Sequence, residues 1–142
     1  MLWKQAHDPA TLQEFSRNTL VDALGIEITE VGDDFITARM PVDHRTVQPM
    51  RILHGGASVA LAETLGSFAS VLCLDDPISH APVGVEINAN HLNQAKEGTF
   101  VYGTAKPLKI GRRIQVWNIE IKDESGKLIC VSRLTIAIIE RR

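Results

Sequence analysis

The chain has 142 residues, of which 44% are hydrophobic and 23% are charged, and its formal net charge at pH 7 is −2. This size and balance are typical of a globular domain with a core of its own, and we expect one domain over residues 1–142. The weak negative charge gives no support for a nucleic-acid partner or for binding to an acidic membrane surface.

The first predicted elements are two short helical segments. Asp8 can cap a helix that begins at Pro9, and Leu12 with Phe15 would form its apolar face. A second short turn near residues 21–24 should end at the glycine that follows it.

From residue 26 the period of the hydrophobic residues becomes two, which is typical of strands. The pattern predicts a strand over 26–31, a turn, and a returning strand over 35–40. The segment 41–53 has no clear period and contains two prolines, which predicts a loop.

Residues 55–74 predict one long helix, closed by the Asp-Asp-Pro segment that follows. Its length approaches that of a membrane span, but it contains Glu63 and several hydroxyl side chains, and a carboxylate is costly in lipid. Because apolar or small residues lie nearly all round it, we expect a buried helix of a soluble protein, wrapped by a sheet.

The rest of the chain is rich in strands, and turns separate four of them. They are predicted over 83–92, 99–108, 114–122 and 128–139. Pro107 indicates a bulge or an edge, and Trp117, Ile119 and Ile121 share one strand face. Short connections favour an antiparallel sheet of about five to six strands, and one helix lying across it gives an α+β architecture. Uncovered edges and an open face predict an oligomer.

Two observations concern the compartment. Cys73 and Cys130 show no CxxC spacing and have apolar neighbours in sequence, so we expect reduced core thiols. The first residues lack the basic and then apolar order of a signal peptide. Both observations favour a cytoplasmic protein.

The candidate chemistry centres on the start of the long helix, where a loop ends in Gly55 and Gly56. N–H groups at a helix N-terminus carry partial positive charge and can stabilise a carbonyl oxygen that gains negative charge. The alternative is that the glycines only permit a tight turn and close packing. The HGG sequence alone does not decide between the two.

Glu63 lies near the middle of the helix, with Ser67 one turn later. No Lys or Arg occurs over 57–74, so no local cation offsets the cost of burying a carboxylate. Burial would raise the pKa of Glu63, which suits a general base. The alternative for Glu63 is an ion pair with another strand. Ser67 could bind the nucleophilic water or bond back to a helix carbonyl.

Two loop residues are further candidates. His54 could orient a substrate carbonyl, reach Glu63 of another chain, or cap the helix, and Gln48 could donate to substrate or satisfy the loop backbone. The histidines show no HExxH spacing, and GxSxG and GxxxxGK[ST] are absent, so we expect neither a metal nor a serine nucleophile nor a phosphate loop. The turn at Arg112 and Arg113 could hold a phosphate or be a solvated surface.

Three short segments resemble the hotdog-fold acyl-CoA thioesterases: residues 48–49 (QP), 53–56 (LHGG) and 62–67 (AETLGS). They are most similar to a bacterial branch that includes 1,4-dihydroxy-2-naphthoyl-CoA thioesterase and the proofreading thioesterase of enterobactin synthesis. Nearly the whole chain takes part, because similar segments also lie at residues 1–4, 40–46, 88–91, 106–108 and 115–117. Together these segments are far more specific than HGG alone.

The resemblance implies an antiparallel sheet wrapped around the long helix, a homodimer with joined sheets, and a tetramer built from two dimers. It implies an active site between subunits, with Gln48, His54 and Gly55 from one chain and with Glu63 and Ser67 from its neighbour. The Gly55 N–H would polarise the thioester carbonyl, and Glu63 would attack that carbonyl or activate water. The resemblance implies no metal or redox cofactor.

The implied substrate is an aromatic or medium-chain acyl-CoA. 1,4-Dihydroxy-2-naphthoyl-CoA, an intermediate of menaquinone biosynthesis, is one option, and an acyl-carrier protein in place of coenzyme A is another. Substrate contacts are expected from Met50, Val59, His91, Arg112 and Arg113. A hotdog hydratase or dehydratase and a non-catalytic acyl-CoA sensor are the alternative functions.

The chain departs from the family pattern at two places. The family often has an aromatic residue and then a glycine after Gln-Pro, where this chain has Met50 and Arg51. An arginine common two residues after the equivalent of His91 is Asn93 here. Both places are expected to affect how the substrate enters or how its nucleotide is held.

Overall fold

A computed structural model describes residues 2–142, and Met1, the first residue of the 1–4 segment, lies outside the described residues. Three helices and six strands follow one another over the described chain in the order α1 Pro9–Glu14, α2 Leu20–Ala23, β1 Glu27–Val31, β2 Ile36–Pro41, α3 Gly55–Leu72, β3 His80–His91, β4 Phe100–Ile110, β5 Ile114–Asp123 and β6 Leu128–Glu140. The predicted element types are therefore confirmed, with boundaries that differ by a few residues.

Helix α1 is capped as predicted, because the Asp8 side chain accepts a hydrogen bond from the Thr11 N–H. Its expected apolar face is wrong in one residue: Leu12 is buried, but Phe15 is 72% exposed. The buried side of this segment runs from Leu12 to Ser16, whereas Phe15 is the C-cap after the last helical residue and lies beside that side.

The six strands form one antiparallel sheet in the order β1-β2-β4-β5-β6-β3. Strand β3 therefore lies at an edge beside β6, although β4 follows it in the sequence. The expectation that short turns join successive neighbouring strands is wrong for this pair, because the segment between them carries the chain across β5 and β6. The bulge expected near Pro107 is confirmed as a register shift between Pro107 and Lys109.

Helix α3 lies across the sheet and contacts the strands from β2 to β6. Its sheet-facing residues are buried, namely Ser58, Leu61, Ala62, Leu65, Gly66, Ala69, Ser70 and Leu72. The opposite face, which includes Glu63 and Ser67, is half-buried. By length and composition alone α3 could cross a membrane, but a core helix passes the same test. The side of α3 that faces the sheet is buried, as predicted for a core helix, and the opposite side is only half-buried.

The core forms between α3 and the inner face of the sheet. Trp117, Ile119 and Ile121 are fully buried there, as their alternation predicts. The Trp117 indole N–H donates to the Ser70 hydroxyl at 2.8 Å. Cys73 and Cys130 are free and buried, and burial raises the pKa of the Cys73 thiol to about 11. The prediction of reduced core thiols is confirmed.

Candidate active site

One cleft of about 330 Å³ lies at the N-terminus of α3 and contains three of the predicted site residues, Gln48, Gly55 and His91. The imidazole of His91 packs directly on Gly55, because a Cβ atom there would lie 2.9 Å from His91 Nε2. Gly55 therefore permits the close packing of His91, which is one of the two roles that the sequence left open for the glycines. That role leaves its N–H group available for chemistry.

The N–H groups of the first turn of α3 are not equivalent. His54 Nδ1 accepts from the Gly56 N–H at 2.8 Å, and the His54 carbonyl accepts from Ala57 and Ser58. By contrast, the Gly55 N–H has no hydrogen-bond acceptor among residues 2–142. The first residue of the helix thus presents an unused donor at its positive end.

His54 is the N-cap of α3, so the capping role left open by the sequence is confirmed. Because Nδ1 accepts the bond from Gly56, a neutral imidazole in this position carries its proton on Nε2. The side chain is exposed, so this second N–H can also donate to a ligand. Capping and substrate contact are therefore compatible at His54.

The loop before α3 uses one half of the Gln48 amide. Gln48 Oε1 accepts from the Met50 N–H, while its NH2 group has no acceptor in the described chain. Met50 is 74% exposed and lines neither this cleft nor the one that holds Glu63. Arg51 has a φ of 63° and pairs with Glu97 through its guanidinium.

A second cleft, of about 430 Å³, contains Glu63 and Ser67 together with apolar side chains. No Lys or Arg of the described chain lies within 4.0 Å of the Glu63 carboxylate, so the structure does not supply the ion pair left open by the sequence. Burial raises the pKa of Glu63 above its ordinary value of 4.5. Ser67 makes no bond back to a helix carbonyl, whereas Thr64 does, at 2.7 Å.

The carboxylate of Glu63 lies against Gly84 on β3, where any Cβ atom would collide with Oε1. Sequence reasoning missed Gly84 as a site residue. Its signal was available, because a glycine between two valines of a strand often indicates close approach of another group. Arg141, which lines the same cleft, was also missed, and a basic residue near the end of the chain gave no signal.

In one chain the two clefts are too far apart to act on one thioester. Gly55 and Glu63 are eight residues apart on α3, which is about 12 Å along the helix axis. Val59 lies midway between them, is half-buried, and lines neither cleft of the described chain. The structure therefore gathers the predicted catalytic residues into two groups: Gln48, His54 and Gly55 at the helix start, and Glu63 with Ser67 at mid-helix.

The residues predicted to hold the nucleotide are also separated. His91 pairs with Cys130, while the strand after Arg112 and Arg113 begins opposite Ala137, seven residues further along β6. Seven residues of a strand span about 23 Å, which separates the position opposite His91 from the position opposite the arginine turn. Arg112 borders a third cleft that also contains Lys4, Asp75 and Asp76. One chain does not bring His91 and the two arginines to a single phosphate.

Asn93, the second departure from the family pattern, lines the Gly55 cleft beside His91. Its side-chain N–H donates to the Leu128 carbonyl at 2.8 Å. The residue therefore ties the end of β3 to the start of β6.

The chain is similar in sequence and in structure to known thioesterases. Residues 50–130 match the model of the thioesterase superfamily. The chain is 50% identical over 139 residues to the 1,4-dihydroxy-2-naphthoyl-CoA hydrolase of Escherichia coli K12, covering 98% of this chain and 100% of that one. It is 49% identical over 138 residues to the proofreading thioesterase EntH of Cronobacter turicensis, covering 97% and 98%. A crystal structure of a thioesterase from Haemophilus influenzae matches with a TM-score of 0.93 at 51% identity, covering 99% and 96%.

Proposed function

Because this chain belongs to the thioesterase superfamily, has its hotdog fold and is a thioester hydrolase, we propose that it hydrolyses an aromatic or medium-chain acyl-CoA to the free acid and coenzyme A. Glu63 is the base or nucleophile of this reaction, and the Gly55 N–H activates the carbonyl. 1,4-Dihydroxy-2-naphthoyl-CoA is the specific candidate substrate. A preference for it would place the chain in menaquinone biosynthesis.

The observation that carries this proposal is the state of Glu63. Its carboxylate has no cation partner in the described chain, it opens into a cleft with apolar walls, and its pKa is raised by burial. A carboxylate kept only for stability would be paired or fully solvated. A group that must take up a proton near neutral pH benefits from this environment.

We place the complete active site between two chains joined through β3. This strand forms a sheet edge, and its exposed Val83 and Val85 suit pairing with a second strand. Glu63 lies against Gly84 near the middle of β3, while Gly55 contacts His91 at its last residue. Antiparallel pairing of two β3 strands centred between Ile87 and Asn88 would place Gly84 of each chain opposite the partner subunit's His91.

In this arrangement Glu63 of one chain faces Gly55 of the partner subunit across a bound thioester. Glu63 takes a proton from water, and the hydroxide forms a bond to the carbonyl carbon while the carbonyl electrons move to oxygen. The Gly55 N–H stabilises that oxyanion. When the carbon–sulfur bond breaks, the thiolate takes the proton back, and the acid and coenzyme A leave. Direct attack by Glu63 would instead form an anhydride that water hydrolyses.

The remaining polar residues support this reaction. His54 Nε2–H and the Gln48 NH2 group are the unused donors on the Gly55 side, and both can hold the carbonyl in place. The Ser67 hydroxyl, one turn from Glu63, can hold the attacking water. Each step uses only protein groups and water.

The same assembly gives roles to the predicted substrate contacts. Met50 and Val59, which line neither cleft of the described chain, would meet the acyl group once a partner closes the site. His91, beside Gly55, would contact coenzyme A near the thioester, and Arg112 with Arg113 would reach its phosphates from another subunit. A tetramer of two dimers would supply that subunit, and an acyl-carrier protein remains an alternative thiol carrier.

Thiol release tests the proposal directly. The panel comprises 1,4-dihydroxy-2-naphthoyl-CoA, benzoyl-CoA, short and long acyl-CoA, and one aryl acyl-carrier protein. We expect release from the aromatic or medium-chain members, and a loss of at least about a hundredfold in Glu63→Gln. Glu30→Gln, at an exposed glutamate of β1, is the matched control and should keep full activity. Absence of thiol release from every member would instead favour the hydratase or the sensor.

A further inference from the structure

We propose that Arg141 determines acyl specificity by binding a carboxylate or hydroxyl oxygen at the end of the acyl group remote from the thioester. The inference rests on the proposed function, because it takes the Glu63 cleft as the place where the acyl group lies. Arg141 lines that cleft together with Glu63, Phe68 and Val71.

The guanidinium is fixed in place by the main chain. Arg141 Nε donates to the carbonyls of Pro77 and His80, at 3.0 and 3.1 Å, and the Arg141 main-chain N–H donates to the Ser79 carbonyl at 2.8 Å. These bonds use one of the five side-chain N–H donors and leave the four on the terminal nitrogens. A side chain held in this way loses little conformational entropy when it binds a ligand.

The charge of Arg141 has no nearby counter-charge in the part of the chain that the structure describes, because no carboxylate there lies within 4.0 Å of its guanidinium. The walls beside it are apolar, from Phe68 and Val71 on α3 and from Ala81 and Pro82 on β3. Arg141 is exposed in one chain. When an acyl group covers it, a cation beside apolar walls attracts an oxygen ligand more strongly than a cation in open water.

The position of Arg141 fits the remote end of an acyl group. Its anchoring carbonyls follow the C-terminus of α3, whereas Glu63 lies near the middle of that helix. From Glu63 to Val71 the helix rises about 12 Å, which is long enough for a bicyclic aryl group or a medium chain. An acyl group attacked near Glu63 would therefore reach the guanidinium with its far end.

The chemistry of a guanidinium selects oxygen at that end. Its planar N–H pairs match a carboxylate in a bidentate arrangement and also donate to a phenolic or alcoholic oxygen. A purely hydrocarbon acyl group would leave the four N–H donors without acceptors, which is costly once the cleft closes. The preferred acyl group thus carries an oxygen remote from the thioester, as in ω-oxygenated medium chains or aryl groups oxygenated on the outer ring. 1,4-Dihydroxy-2-naphthoyl-CoA, whose hydroxyls lie on the ring that bears the thioester, would not gain this contact.

The test compares matched substrates that differ only at the remote end: octanoyl-CoA against its ω-carboxylated form, and 2-naphthoyl-CoA against 6-hydroxy- and 6-carboxy-2-naphthoyl-CoA. We expect the oxygenated member of each pair to have the higher kcat/KM. In Arg141→Ala that preference should fall about tenfold or more, the value of one or two charge-assisted hydrogen bonds. Arg142→Ala, the neighbouring arginine, should leave the preference unchanged.

The ratio of two kcat/KM values does not depend on how much enzyme is folded, so a purely structural role of Arg141 would slow both members of a pair equally. That result, or an unchanged ratio, would overturn the proposal. If Glu63→Gln still releases thiol from octanoyl-CoA and 2-naphthoyl-CoA at the native rate, the function itself fails. If that release depends on Glu63 while the ratio of kcat/KM values is the same in the native chain and in Arg141→Ala, only the specificity role fails.

Discussion

The carboxylate of Glu63 lies against the main chain at Gly84, where no side chain separates it from β3. This contact joins two residues that are 21 positions apart in the sequence, 63 and 84. Local periodicity can show that a carboxylate lies on an apolar helix, which is why Glu63 was predictable. It cannot show which strand passes over that carboxylate, and so Gly84 and Arg141 were not predictable.

Burial of Glu63 has a consequence for stability. Because burial raises its pKa in the folded chain above the unfolded value, the ionised form is disfavoured by folding. The contribution of the protonated Glu63 carboxyl to the free energy of unfolding is fully present at pH values below the unfolded pKa. It is lost as the pH rises through the folded pKa. Replacing Glu63 with a neutral isostere therefore removes a cost that exists only when the group is ionised.

We predict that Glu63→Gln unfolds at a higher urea concentration than the native chain at pH 7.5, and that this gain disappears near pH 4. The measurement is urea unfolding at both pH values, with Glu30→Gln as the exposed control. A Glu63→Gln variant that is less stable at pH 7.5 would indicate that the carboxylate has a stabilising partner, and it would contradict a partly buried Glu63 without a cation beside it.

Among the secondary-structure elements, α3 was the most predictable. His54 and the glycines fix its start, and the Asp-Asp-Pro segment follows its end, so local chemistry determines both. The position of β3 was not predictable, because strand order depends on long-range pairing. A pattern of period two gives the same signal for an edge strand as for a central one. This edge strand contributes to both clefts, with Ala81 and Pro82 in the one that holds Glu63 and His91 in the one that holds Gly55.

The turn before α3 shows how a departure from the family pattern affects structure. Arg51 has a φ of 63° at a position where the related thioesterases often have glycine. A residue with a side chain is destabilised by roughly 1–2 kcal/mol in this left-handed region. Glycine avoids that strain but loses more conformational entropy on folding, so its net advantage is smaller. The ion pair of Arg51 with Glu97 is exposed and offsets little of that cost.

We predict that Arg51→Gly is more stable than Arg51→Ala by about 0.5–1 kcal/mol. Both variants lack the ion pair with Glu97, so their difference isolates the backbone. Urea unfolding of the two variants under identical conditions gives this difference. Equal stabilities, or a more stable alanine variant, would show that the turn does not hold residue 51 in the left-handed region in solution.

For the whole molecule, the main consequence is that one chain holds two halves of a site. Gly55 and Glu63 lie about 12 Å apart along the axis of α3. Among residues 2–142, the Gly55 N–H has no acceptor and the Glu63 carboxylate has no cation partner. The exposed edge strand β3 connects the regions around both residues. The separation follows from eight residues on one predicted helix, but the strand that connects the two regions could not be predicted, because strand order depends on long-range pairing. Only the family resemblance pointed to a shared site.

A complementation experiment measures whether the halves combine across chains. Gly55→Pro removes the N–H, and proline suits both the first helical position and the extended His54 before it. Gly55→Ala adds the same Cβ beside His91 but keeps the N–H, so it is the matched control and should remain the more active variant.

The decisive measurement is thiol release by Gly55→Pro chains co-expressed with Glu63→Gln chains and purified together through two different tags. Each variant alone should be nearly inactive. A mixed dimer holds one site with both groups intact, so we predict that the mixture regains about a quarter to a half of native activity. A mixture as inactive as its two components would contradict a site shared between chains and would place Gly55 and Glu63 in separate roles.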